Sequence, residues 1–213
     1  MSKQFIAILI VIIGGLFAIL AFTGKDKSNN QSSSTSSSQP TSHKAGKADS
    51  KVVLQEFGDF QCPACKAYST IIQQLKNEYG DRVAFQFSHF PLTQIHTNAF
   101  ISSRAAEAAG KQGKFFEMHD LLYEQQDSWS QVADPTSIFV SFATQLGLNA
   151  EQFKTDMVAS ATTEAINADR KVAQDLGSSG TPTFVLNGKK MDKSPTSIEE
   201  FKKILDEALA ANQ

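Results

Sequence analysis

Cys62 and Cys65 are the only cysteines in a chain of 213 residues, and Pro63 and Ala64 separate them. Two thiols at this spacing can close a small ring and open it again. That is the chemistry of thiol–disulfide exchange, in which a thiolate attacks a disulfide sulfur. Two blander readings compete. A structural zinc site needs about four ligands, but there is no third cysteine, and His43, His89, His96 and His119 form no close pair along the sequence. A purely structural crosslink gains most from closing a long loop, and this loop is minimal. A minimal loop adds little stability but makes a good reversible switch.

The flanking residues say what positions the pair. Before it, residues 52–57 form an apolar run of strand length and composition. After it, Cys65, Tyr68, Ile72, Leu75 and Tyr79 recur at steps of three and four, the apolar face of an amphipathic helix. The cysteines therefore lie where a strand hands over to a helix. Pro63 suits the first helical position, where its missing N–H costs nothing. Cys62 is then the N-cap residue, facing unpaired backbone N–H groups and the positive end of the helix dipole. Both favour the thiolate, by about 1.4 kcal/mol for each unit of pKa lowering. Cys65, one turn on, belongs to the buried stripe. Cys62 reads as the attacking sulfur and Cys65 as the resolving one.

Residues 5–22 are unbroken apolar or Gly, with Lys3 before and Lys25 and Lys27 after. The run approaches the length needed to span a bilayer core of roughly 30 Å. No clear cleavage site follows, so an uncleaved membrane anchor over residues 1–24 is expected, with a cleaved secretory signal as the alternative. Both export the remainder, which suits disulfide chemistry. The expected location is a single-pass membrane protein with its globular part extracytoplasmic. Residues 25–50 are rich in Ser, Asn, Gln, Thr and Lys and read as a disordered linker, with His43 an uninvolved, solvated residue in it. Residues 51–213 are the right size for one domain. The net charge is −2 with a pI near 6.1, and no basic stripe marks the globular part, which argues against a nucleic-acid partner. Nothing resembles a dimerisation segment, so a monomer is expected.

Further along, residues 82–90 alternate as a second strand, ended by Pro91. Strand, helix and strand with a long crossover imply parallel pairing. Gly80 is placed at the C′ site of the first helix. From about 96 to 161 the period is helical, an inserted subdomain, with its histidines read as packing or capping residues. A further helix runs to Gly177. Ser178-Ser179-Gly180-Thr181-Pro182-Thr183 then leads into a strand over 183–186, and Asn187-Gly188 signals a tight hairpin. Asn149 with Gln152, and Ser197 with Glu200, read as helix-capping pairs.

The order of strand, Cys-Pro-x-Cys helix, strand, helical insertion, and Gly180-Thr181-Pro182-Thr183 before a hairpin resembles the DsbA-like thiol–disulfide oxidoreductases. His96-Thr97-Asn98-Ala99 and Gly113-Lys114-Phe115-Phe116-Glu117-Met118-His119-Asp120-Leu121 resemble that family's insertion. The likeness covers essentially the whole globular part. It implies an α/β thioredoxin fold with a helical insertion. It implies a cis peptide bond at Thr181–Pro182, with the Thr181 backbone offering hydrogen bonds to an incoming peptide. It also implies that Glu56, buried in the first strand, helps move the proton of Cys65. Two departures stand out. DsbA has a lysine on the second strand beside this acid, and residues 83–90 have none. DsbA has a histidine where this chain has Ala64, so thiolate stabilisation mainly by the helix N-terminus and a less oxidising disulfide are expected.

The expected activity is a membrane-tethered oxidoreductase that donates its Cys62–Cys65 disulfide to exported protein thiols. No metal or organic cofactor is called for, and reoxidation is expected from a quinone-linked membrane partner. The alternatives are the reverse direction, as reductase or isomerase, and a peptide-binding holdase with incidental thiols.

Overall fold

The computed structural model describes residues 39–212. The expected anchor over 1–24 and most of the expected linker lie outside them. Among the described residues no helix is long and apolar enough to cross a membrane.

The first strand, β1 (His43–Gly46), leads into β2 (Val53–Gly58), then α1 (Pro63–Tyr79) and β3 (Ala84–His89). Five helices follow: α2 (Ala99–Gly110), α3 (Phe115–Glu124), α4 (Gln126–Trp129), α5 (Thr136–Gln145) and α6 (Ala150–Val158). The chain returns through α7 (Ser160–Asp175), β4 (Thr183–Leu186), β5 (Lys189–Lys190) and α8 (Ile198–Ala210). The sheet runs β1-β3-β2-β4-β5. β2 and β3 pair in parallel, as the long crossover predicts, and the other neighbours pair antiparallel. This is the expected thioredoxin fold with its helical insertion.

Side-chain alternation in β2 sorts the core. Leu54 packs with Ile72 and Leu75 of α1, Phe184 of β4, and Phe201 and Leu205 of α8. Phe57 points the other way, to Phe90, Val185 and Ala173 of α7. Glu56 shares the Leu54 face, as its register predicts. A third cluster joins the insertion to the active-site loop: Phe60 and Cys65 pack with Met118, Leu122, Trp129, Phe139 and Phe153. Truncating such a buried aromatic costs about 3–5 kcal/mol.

The local signals act largely as read. Asn187 and Gly188 take φ of 51° and 81°, the positive values a tight hairpin demands. Asn149 Oδ1 accepts from Gln152 N–H at 3.0 Å. Ser197 Oγ accepts from Glu200 N–H at 3.3 Å, and Glu200 reaches back to Thr196 N–H rather than to Ser197.

Three readings need correction. Gly80 caps α1 with φ −63°, a right-handed conformation, so it is not the left-handed C′ glycine expected. The expected linker does not extend to residue 50. His43–Gly46 is an edge strand paired antiparallel with β3. Asp169 of α7 accepts from Thr41 N–H at 2.7 Å and Thr41 O–H at 2.5 Å, fastening the segment that enters it. His43 is not a free solvated residue either. Its ring stacks on Phe115 with centroids 3.5 Å apart, and its Nε2 lies 2.6 Å from Glu107.

Candidate functional site

β2 carries Glu56 to the foot of the site, and residues 59–62 turn its end into α1. Asp59, fully buried, builds that turn. Its Oδ1 accepts from Gln61 N–H at 2.8 Å, and its backbone carbonyl accepts from Cys62 N–H at 3.0 Å. Its Oδ2 accepts from Leu92 N–H and lies 2.7 Å from His96 Nδ1. Gln126 of the insertion completes the cradle. Its Nε2 donates to the Phe60 carbonyl at 2.7 Å and the Cys62 carbonyl at 3.1 Å. Gln61 answers in the other direction, its Oε1 accepting from Asn98 N–H and its Nε2 donating to Ser130 O. The insertion thus grips the cysteine loop from outside the strand–helix unit.

Cys62 is the N-cap of α1 with extended φ/ψ, and Pro63 starts the helix. Pro63 and Ala64 are exposed. Cys62 keeps 7% of its surface and Cys65 none, so the outer sulfur is the more accessible one, though it is far from fully open. Both cysteines are free thiols.

Their environments oppose each other. The Cys62 thiol is pulled down to about 5, first by a hydrogen bond from the Cys65 thiol. Partial burial works against this, and the Thr181 hydroxyl and the N–H groups of Cys65 and Ala64 add to the lowering. The N–H groups of the helix start thus act on Cys62 as expected, and the inner thiol acts beside them. Cys65 goes the other way. Burial, the hydrogen bond to Cys62 and the charges of Glu56 and Cys62 push its thiol well above the usual range. Only one of the two sulfurs is an anion near neutral pH.

Thr181 lies across from Cys62, and its carbonyl accepts from Cys62 Sγ at 3.5 Å when that sulfur is protonated. The Thr181–Pro182 peptide bond is cis. Both residues are half-buried.

Glu56 is 5% exposed and its Oε1 has no protein partner. Burial pushes its carboxyl up to about 8, against the pull of Lys76; the Cys62 charge adds to the rise and a hydrogen bond with Cys65 opposes it. A carboxyl poised there is suited to exchanging a proton with Cys65. The lysine absent from β3 has a substitute the sequence did not reveal: Lys76, on the polar side of the α1 pattern, faces Glu56 from the helix. The whole expected set (Glu56, Cys62, Pro63, Ala64, Cys65, Thr181, Pro182) meets at one end of the sheet. Gln126, Asp59 and Lys76 are the additions.

Away from this site, His43 and His89 each bring Nε2 to Glu107 Oε1, at 2.6 and 2.8 Å. The three donor atoms lie within 4.8 Å of one another, a grouping that could in principle hold a metal ion. Both separations are hydrogen-bond lengths. Burial alone would raise the Glu107 carboxyl, but the bonds to His43 and His89 hold it down to about 2. The cluster clamps β1 onto α2 and β3, while the buried His89 Nδ1 finds no hydrogen-bond partner among the described residues.

A sequence profile of the Thioredoxin family matches residues 38–207. A probable disulfide bond formation protein D of Bacillus cereus is 31% identical over 211 residues, covering 96% of this chain and 93% of that protein. The chain is a DsbA-like member of the thioredoxin family. A thioredoxin-like oxidoreductase from Silicibacter pomeroyi superposes on this DsbA-like chain with a TM-score of 0.68 at 28% identity, covering 80% of this chain and 93% of the other. Oxidised BdbD from Bacillus subtilis shares the fold, with a TM-score of 0.69 at 24% identity over 82% of this chain and 97% of its own. An Na(+)/H(+) antiporter NhaA 1 of Mycobacterium sp. strain KMS is 36% identical over 152 residues, 70% of this chain. That match spans only 24% of the antiporter, so this DsbA-like chain corresponds to about a quarter of it.

Proposed function

We propose that this chain is an extracytoplasmic thiol–disulfide oxidoreductase that donates the Cys62–Cys65 disulfide to exported proteins. The observation that carries this reading is the placement of the sulfurs, Cys62 at the helix N-terminus beside the Thr181 backbone and Cys65 wholly buried behind it, which pulls the first thiol down and pushes the second up. A stable Cys62 thiolate is a good leaving group and favours the reduced dithiol, which makes the disulfide an effective oxidant.

In the forward direction a substrate thiolate attacks Cys62 Sγ. The Cys62–Cys65 bond breaks, and Cys65 leaves as a thiolate that takes the proton of Glu56. A second substrate thiolate then attacks the substrate sulfur of the mixed disulfide. Cys62 leaves as the thiolate, and two electrons have passed from substrate to enzyme. The Thr181 backbone, beside Cys62, would pair with the substrate chain during the mixed-disulfide stage.

The apolar run over 5–22 supports tethering to a membrane, and a quinone-linked membrane partner would reoxidise the dithiol. The test is transfer in vitro. Oxidised protein is mixed with a reduced, unfolded dithiol polypeptide, and disulfide in the product is counted. Stoichiometric transfer is expected, abolished in Cys62→Ser; no transfer, or full activity in the Cys62→Ser, Cys65→Ser double variant, contradicts the reading. For location, the full chain is expected in the membrane fraction and protease-accessible from outside. Recovery of the globular part behind the membrane would overturn that half of it.

A further inference from the structure

Cys65 is buried completely, so each catalytic cycle must carry a proton between its sulfur and water. Glu56 beside it is itself buried. Something has to connect Glu56 to solvent.

Under Glu56 lies a small cavity with room for about one water molecule. Its polar walls are Glu56 of β2, Lys76 of α1, Gln86 of β3 and His119 of α3; its remaining walls are apolar. Glu56 Oε1 has no protein hydrogen-bond partner, and neither has the buried Tyr123 hydroxyl. The Lys76 ammonium lies 4.8 Å above the Phe116 ring, within cation–π range, and feels the charges of both Asp120 and Glu56. His119 is 4% exposed and its Nδ1 is 2.8 Å from Asp120 Oδ1. The Asp120 side chain is 41% exposed. Polar groups thus line a path from Glu56, across the cavity, to the exposed Asp120, and its outer half belongs to the helical insertion.

We propose that this cavity and the His119–Asp120 pair are the proton exit of Cys65, with Lys76 positioning the route. In the resolving step the Cys65 thiol gives its proton to the Glu56 carboxylate, and the new thiolate attacks Cys62 Sγ. The bond to the bound partner breaks and the partner departs as a thiolate. Glu56 passes the proton to a water in the cavity. That water protonates His119 Nε2, and Nδ1 hands its proton to Asp120 and so to solvent. The reverse order delivers a proton when Cys65 leaves the disulfide.

The groups facing His119 are Asp120, Lys76 and His89. Those facing Glu56 are Lys76, Cys62 and Cys65, with Tyr123 nearby. Burial keeps His119 neutral, and its hydrogen bond with Asp120 works against that, as a relay imidazole requires.

The inference rests on dithiol exchange and not on its direction or location, so a small disulfide tests it. Reduced protein is mixed with oxidised glutathione, quenched with acid at short times, and resolved by mass. Cys62 attack forms the glutathione adduct; Cys65 attack then removes it. His119→Gln and Asp120→Asn are expected to leave adduct formation unchanged and to slow its removal about tenfold at neutral pH. In a Glu56→Gln background neither should slow it further, because the groups act in series. Asp120→Asn, at the surface, decides the matter if His119→Gln folds poorly. Removal at the parent rate and pH profile in Asp120→Asn, or losses that add to those of Glu56→Gln, would overturn the proposal. Failure to form any adduct would instead contradict the exchange chemistry itself.

Discussion

The two sulfurs are separated by one turn of a helix, yet they live in different solvents. Cys62 faces the Cys65 thiol, the N–H groups of Ala64 and Cys65 at the helix start, and open water beyond Pro63 and Ala64. Cys65 faces Phe60, Leu122, Trp129 and a carboxyl with an unpartnered oxygen. The outer environment pays for a negative charge and the inner one forbids it. The lesson is that the asymmetry does not belong to the Cys-Pro-x-Cys spacing. It is made by groups outside the motif: Asp59 and Gln126 fix the loop, and Glu56 and Tyr123 lie beside the inner thiol.

Breaking the contrast outright has the largest expected effect. Cys62→Ser should abolish exchange, whereas Cys65→Ala should keep the attack and accumulate mixed disulfides on Cys62, detectable by non-reducing electrophoresis. Adducts on Cys65 instead would reverse the roles.

Glu56→Gln comes next. Removing the proton carrier should slow resolution by about 10²-fold or more in rapid-quench kinetics. It also separates two pH dependences of stability. Glu56 is raised in the fold, so the stability it contributes is present below 4.5 and lost as pH climbs to about 8. Cys62 is lowered from 9.0 to about 5, so the stability it contributes to the reduced form is present above 9.0 and lost as pH falls through about 5. Between about 5 and 8 the two slopes oppose. Denaturant melts of the reduced parent should be nearly flat there, and Glu56→Gln should gain stability steadily with pH. A flat profile in the variant would show that the two groups are not set apart as described.

Gln126→Ala should cost about 1–3 kcal/mol, since the buried Phe60 and Cys62 carbonyls each lose a donor. Loosening the loop should also raise the Cys62 thiol, measurable as a higher pH midpoint of alkylation. Unchanged stability and midpoint would remove Gln126 from the site. Ala64→His has the smallest expected effect, since residue 64 is exposed. It should sharpen the contrast, shifting the glutathione equilibrium modestly toward the reduced dithiol. A shift toward the disulfide would mean that residue 64 does not act through the thiolate.

What could be read in the sequence was whatever a local pattern encodes. Cys62 at a strand-to-helix junction, the face shared by Glu56 and Leu54, and the Asn187-Gly188 turn follow from spacing and backbone preference. Thr181-Pro182 became legible through its family context. The edge strand did not. His43–Gly46 sits at the end of a Ser-rich, polar stretch, and an edge strand is held largely by backbone hydrogen bonds that composition does not report. Its anchors, Asp169 and Glu107, lie 128 and 64 residues away from Thr41 and His43. Lys76 was hidden for a related reason: on an amphipathic helix it is one more polar residue, and only the packing of α3 and β2 turns it inward. Gln126 belongs to a helix of four residues with no pattern at all.

The most direct measurement is the pH dependence of Cys62 alkylation in the reduced protein, with the modified residue identified by mass. A midpoint near 5, with Cys65 unmodified through the neutral range, is the expected result. A midpoint near the ordinary thiol value of 9.0, or label appearing on Cys65 first, would contradict it.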